Sequence, residues 1–141
     1  MRYLLDTNAV SEIRRGRDPN VLAWTESVDD VELHLSVLTL GEIRKGIELL
    51  RARDPVQAEM FATWLTELHA RFADRVIAID AAIAEHWGQL NATTPRSTVV
   101  SLIAATAHVH GLTVVTRNTS DFDGCGVSLL NPWDHQPGTP D

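Results

Sequence analysis

Three acids, Asp6, Glu42 and Asp121, each follow a short apolar or β-rich run, and in this 141-residue chain they are the side chains best suited to chemistry. Carboxylates gathered in one place repel one another unless a hard cation neutralises them, and an oxygen-rich set of this kind suits magnesium or manganese. A cation held there can orient a water and stabilise charge on a phosphodiester. Each acid also has a purely structural reading. Asp6 or Asn8 can cap a first helix, Thr39-Leu40-Gly41-Glu42 has the form of a capping box with Glu42 as its reciprocal half, and Asp121 can be a turn residue in Asp-Phe-Asp-Gly. Spacing alone does not choose between the two.

The elements that must position these acids follow from the hydrophobic pattern. Tyr3-Leu4-Leu5 is a first strand that gives way at Asp6-Thr7-Asn8 to a helix over 9–15, and Asp18-Pro19-Asn20 opens a second short helix over 21–28. Residues 31–37 are a second strand, and a helix starts near Thr39 with Ile43, Ile47 and Leu50 at helical spacing. Asp54-Pro55 opens a long amphipathic helix with Met60, Phe61, Trp64, Leu65 and Leu68 along one side. A third strand covers 75–79, and Asp80 caps a helix over 81–91. Ser97 or Thr98 caps an apolar helix that runs through Val109 and stops at Gly111. Residues 112–116 and 127–130 are the fourth and fifth strands, and the chain is expected to fray from Asn131-Pro132-Trp133 onward.

Strands separated by helices predict an α/β fold: a mostly parallel central sheet of about four or five strands flanked by helices in three layers. Sites in such folds gather at the carboxyl ends of the strands, so the three acids are expected at one edge. The pattern predicts a single domain over 1–133 and a flexible C-terminal tail over 134–141.

Composition narrows the function. The net charge of −7 opposes broad electrostatic binding of a polyanion, so any nucleic-acid contact must be local. The basic clusters Arg14, Arg15, Arg17 and Arg44, Lys45, Arg51, Arg53 read as solvated helix surface. A single cysteine, Cys125, excludes an internal disulfide and a multi-cysteine zinc site and fits a reducing compartment. Asp6 comes too early for a signal-peptide apolar region, which points to a cytoplasmic protein. Residues 97–116 lack formal charge, but His108, His110 and Gly111 make them a buried helix and strand rather than a membrane span. His34, His69, His86, His108 and His110 lack zinc-site spacing, and Trp24, Trp64 and Trp87 lie in helical patterns as core or interface residues.

Several longer words resemble the PIN domains, specifically the VapC-type toxins of bacterial toxin-antitoxin pairs. They are Leu5-Asp6-Thr7-Asn8, the region 36–46 with Glu42, Leu102-Ile103-Ala104-Ala105-Thr106-Ala107, Thr116-Arg117-Asn118 followed by Asp121-Phe122, and Leu130-Asn131-Pro132-Trp133. The resemblance implies the toxin of a type II pair: a Mg2+-dependent endoribonuclease, with Mn2+ as the alternative ion, that acts on RNA. It is held in check by a VapB-type antitoxin, and DNA is contacted only through that partner. By motif match Asp6, Glu42 and Asp121 are the catalytic and metal-binding acids. Thr116, Asn118 and Asn8 are supporting polar groups that can hold an acid or a metal-bound water in place.

One position departs from the family. Toxins of this type carry an aspartate two residues before the Leu-Ile-Ala-Ala stretch, and this chain has Val100. An acid there would face the metal and gain from the positive end of its helix; valine does neither, and the nearest hydroxyl, Ser101, is a poor substitute. Weakened metal binding and impaired cleavage are therefore expected. The alternative is a catalytically inactive PIN-domain protein that serves only as an antitoxin-binding partner. A phosphotransferase with an N-terminal aspartate nucleophile fits less well, because Asp6-Thr7-Asn8 lacks the second aspartate found two residues on in haloacid-dehalogenase-like families. The resemblance also implies a homodimer, for which Trp24 and the Met60–Leu68 face are the candidate contacts.

Overall fold

The computed structural model describes residues 1–136. Five strands, β1 (Tyr3–Leu5), β2 (Leu33–Ser36), β3 (Val76–Ile77), β4 (Thr113–Val115) and β5 (Leu129–Leu130), form one parallel sheet in the order β3-β2-β1-β4-β5. Six helices connect them: α1 (Thr7–Arg15), α2 (Pro19–Ser27), α3 (Val37–Arg51), α4 (Pro55–Arg71), α5 (Ala81–Thr93) and α6 (Thr98–His110). Each opens on a side chain that accepts from a free backbone N–H of the first turn: Asp6, Asp18, Ser36, Asp54, Asp80 and Ser97. The expected stop at Gly111 is met, since this residue closes α6 at φ +64°, where a side chain would be strained.

The strands sort their side chains by alternation. Tyr3 and Leu5 of β1, Leu33 and Leu35 of β2 and Val115 of β4 face one core with Trp24, Ile43, Leu65 and Phe72 from α2, α3, α4 and the end of α4. Leu4 and Val114 face the other, with Ile103, Ala104 and Ala107 of α6. The sheet is thus covered on both sides, and its middle strand β1, Tyr3-Leu4-Leu5, is apolar and buried throughout, as a strand covered on both faces requires. Among the described residues no helix is long and apolar enough to cross a membrane, and the uncharged stretch 97–116 resolves into α6, a turn and β4.

Two expectations are corrected. The segment Asn131–Asp134 does not fray: Pro132–Asp134 form a 3-10 turn capped by Asn131 Oδ1, which accepts from Trp133 N at 3.0 Å. Pro132 is buried, Trp133 packs on the first core, and Asn20 Nδ2 donates to Trp133 O at 2.7 Å. The proline and the cap give the segment its own fixed shape, which an apolar-run reading does not register. The remainder of the expected tail, 137–141, lies outside the described residues.

The second correction concerns Trp24. It cannot serve a dimer contact, because it is fully buried, edge-on to Tyr3 with ring centroids 5.2 Å apart and planes at 85°. The apolar face of α2 is spent on the core. Trp24→Ala is expected to lower stability by about 3–5 kcal/mol in denaturant unfolding, and a loss under about 1 kcal/mol would contradict this packing.

Candidate metal centre at the carboxyl edge of the sheet

The parallel register pairs Leu5 with Val115, so the residues that leave the sheet next, Asp6 and Thr116, emerge side by side. Asp6 N still donates to Val115 O at 3.1 Å, which ties the first loop to the end of β4. Asp6 is the N-cap of α1, its Oδ1 accepting from Ala9 N at 2.8 Å, while Asn8 lies inside the helix and is exposed. The capping reading of Asp6 is therefore correct, and it does not exclude the chemical one. The Thr116 hydroxyl is fully buried and accepts from Asn118 N at 3.0 Å; its own proton is directed to the Asp6 carboxylate. Burial nevertheless pushes the Asp6 carboxyl above its ordinary range, and the nearby charge of Glu42 pushes the same way, against the hydrogen bonds from Thr116, Ala9 and Asn8.

Glu42 reaches the site differently from its expected capping role. β2 ends at Ser36, whose extended backbone and Oγ, accepting from Leu38 N at 3.1 Å, start α3 at Val37 rather than near Thr39. No capping box forms between Thr39 and Glu42, because both already lie inside the helix. Three residues apart, they share one face of α3. Glu42 is free to accept a hydrogen bond from Thr7 Oγ1 at 2.6 Å, bridging the first turn of α1 to α3.

Asp121 is exposed in the 3-10 turn Thr119–Phe122, anchored by buried Phe122 and by Arg96 Nη1, which donates to the Asp121 backbone oxygen at 2.8 Å. The first turn of α6 forms the opposite wall with Val99 and Val100. Ser101 is turned away: it is fully buried, donates to Ser97 O at 2.6 Å and accepts from Trp87 Nε1 at 3.2 Å. It cannot stand in for an acid at position 100.

A cavity of about 230 Å³ brings these groups together, with Asp6, Asn8, Glu42, Thr116, Asn118 and Asp121 all in its lining beside Val100. Every site residue expected from the sequence is thus at one edge. Two further lining residues, Thr7 and Thr39, were missed. Thr7 stood in view within Asp-Thr-Asn, but a threonine at a helix start reads as local structure; Thr39 was taken for a cap.

The donor chemistry fits a hard divalent cation: the ionised form of Asp6 is disfavoured by burial and by Glu42, and no basic side chain is among the groups acting on it. Among the described residues no three His, Cys, Asp or Glu side chains are grouped closely enough to hold a metal ion together.

Outside the cavity, the basic clusters divide. Arg44 and Arg51 pair with Glu48, and Arg51 with Glu59, as a solvated helix face should. Arg14 instead lies 4.1 Å from the Phe61 ring centroid and 5.3 Å from that of Trp64. It lines a second, more apolar cavity of about 340 Å³ that shares Thr7 and Glu42 with the first. His86 stacks on His108 with ring centroids 3.9 Å apart, a packing role across α5 and α6.

Comparison with known proteins agrees with this arrangement. Residues 3–124 match the PIN domain family. The chain is 34% identical over 138 residues to VapC ribonuclease Y4jK of Sinorhizobium fredii, covering 93% of this chain and 97% of that protein. It is 35% identical over 138 residues to Toxin FitB of Neisseria gonorrhoeae, covering 92% and 97%. A chain in the structure of FitAB bound to an IR36 DNA fragment superposes with a TM-score of 0.84 at 30% identity, covering 97% of this chain and 99% of that one. With the family model matched over residues 3–124 and relatives 34–35% identical over most of the chain, the chain belongs to the PIN-domain family.

Proposed function

We infer that this protein is the toxin of a type II toxin-antitoxin pair, a divalent-metal-dependent endoribonuclease whose cleavage is impaired by Val100, and that residues 1–133 form the single domain responsible. The observation that carries this reading is the cavity that Asp6, Glu42 and Asp121 all line, with Val100 in the wall. Asp6 and Glu42 are the principal ligands for Mg2+ or Mn2+, Asp121 completes the acidic rim, Thr116 holds the Asp6 carboxylate, and Asn118 and Asn8 offer amides to substrate or water. When bound, the cation supplies orientation of a water and neutralisation of charge on the RNA phosphodiester. The relatives named as a VapC ribonuclease and a toxin support the nuclease and toxin parts of the reading.

A VapB-type antitoxin is the expected partner, supported by the similarity to a chain of the FitAB complex. DNA is then contacted through the antitoxin, in keeping with the net charge of −7, and the reducing environment implied by one buried cysteine suits a cytoplasmic location. The two cavities that share Thr7 and Glu42 suit such a segment. Apolar side chains would fill the larger one while an arginine reaches the acids with charge-assisted, bidentate hydrogen bonds. Val100 also favours a second reading, a binding partner without catalysis, and the same experiment separates the two.

Three outcomes are expected. Val100→Asp should raise Mn2+ affinity and cleavage of single-stranded RNA together, because it returns an oxygen ligand to a site short of one; equal activity in the two proteins would sink the impairment. In calorimetry with the cognate antitoxin, Asp6→Ala should weaken binding and Mg2+ should compete with it. Unchanged affinity with no competition places the antitoxin's grip elsewhere. The chain should also run as a homodimer by light scattering at micromolar concentration, held by the exposed apolar start of α4 at Val56 and Met60, and Met60→Asp should shift it to monomer. A monomeric mass for the unaltered chain counts against that contact.

A further inference from the structure

Thr39 is fully buried at the carboxylate cavity, and its hydroxyl has no hydrogen-bond partner in the protein. Threonines within helices of this chain ordinarily satisfy that group on the carbonyl four residues back. Thr25 donates to Val21 O at 2.8 Å, Thr63 to Glu59 O at 3.1 Å, Thr66 to Ala62 O at 3.2 Å and Thr106 to Leu102 O at 2.8 Å. Thr39 has no such option within its own helix. It is the third residue of α3, so the residue four positions back, Leu35, is still in β2.

A buried hydroxyl left unpaired is costly, and Thr39 is one of the residues that line the cavity. Asp6 and Glu42 line the same space and, when ionised, can only accept hydrogen bonds. The cavity is polar and roomy enough for water, which needs two to four polar partners. A hydroxyl can both accept from a water and donate to a carboxylate, so Thr39 complements these two acids in a way that a third carboxylate would not. Magnesium and its substitutes keep several of their waters when bound by few protein ligands, and such waters need acceptors.

We propose that Thr39 is a positioning residue of the cation site, its Oγ1 accepting a hydrogen bond from a water that hydrates a divalent cation held by Asp6 and Glu42. This rests on the metal-dependent reading above, and it adds to the site a group that contacts the ion's water rather than the ion. The hydroxyl is kept unpaired in the protein so that it is available to the hydrated ion.

The test is Mn2+ binding by calorimetry, with bound and free ion counted by electron paramagnetic resonance, beside thermal melting in chelator. Thr39→Val, Thr39→Ser and Asp6→Asn are measured in the chain as it stands and in Val100→Asp. Thr39→Val should weaken Mn2+ binding roughly 10-fold, the scale of lost outer contacts in metal sites. Its metal-free melting temperature should stay level or rise, because a methyl of the same shape replaces an unpaired hydroxyl. Thr39→Ser should bind as the parent does, and Asp6→Asn should lose binding. If Thr39→Val binds Mn2+ as tightly as its parent while Asp6→Asn has lost it, the cation site stands and the role of Thr39 is overturned. A lower metal-free melting temperature for Thr39→Val also overturns it, because the hydroxyl then has a structural partner. If neither parent takes up Mn2+, the metal-dependent reading falls and takes this proposal with it.

Discussion

Leu5 pairs with Val115 in parallel register at the middle of the sheet, and the carboxyl edge is built outward from that pair. Asp6 and Thr116 follow directly, so the acid that caps α1 and the hydroxyl that steadies it need no long loop to meet. A slip of one residue would exchange the faces of Tyr3, Leu4 and Leu5, pulling side chains out of both cores at once. The two hydrophobic clusters therefore hold the register, and the register holds the site. β2 adds to this from the other side of β1, because its end at Ser36 decides where α3 begins and hence which face Glu42 and Thr39 present.

The electrostatics at this edge run against the stability of the empty protein. Asp6 is half-buried and lies near another carboxylate, and three hydrogen bonds only partly offset that cost. Ion pairs on the outer helices, such as Arg71 with Asp30 and Arg51 with Glu48, are exposed and stabilise little. Ion pairs in this molecule thus lie on the exposed helices, while Asp6 at the cavity is held by hydrogen bonds.

Much of the fold was legible in the residues, because the deciding signals were local. The apolar triplet Tyr3-Leu4-Leu5 ending at Asp6 marked β1, the apolar run before Thr116 marked β4, Asp-Pro pairs opened α2 and α4, and Gly111 ended α6. The strand-end rule then gathered Asp6, Glu42 and Asp121 correctly. What escaped was set by competition between neighbouring signals. Ser36 captured the start of α3 before Thr39 could, which turned an apparent capping box into two cavity residues. Trp24 was visible as an apolar helical position, but nothing along the chain distinguishes a core face from an interface face. Asn131-Pro132 read as an ending, whereas the proline's fixed φ and the asparagine cap make a turn that closes onto α2.

The hydrogen bond from Thr7 to Glu42 stands between the carboxylate cavity and the apolar one beside Arg14, and both cavities count these two residues as wall. Anything bound in one space therefore touches two residues that also wall the other. Binding linkage follows: if filling the apolar cavity moves Glu42, the free energy of ion binding changes, and the ion changes the apolar partner's affinity by the same factor.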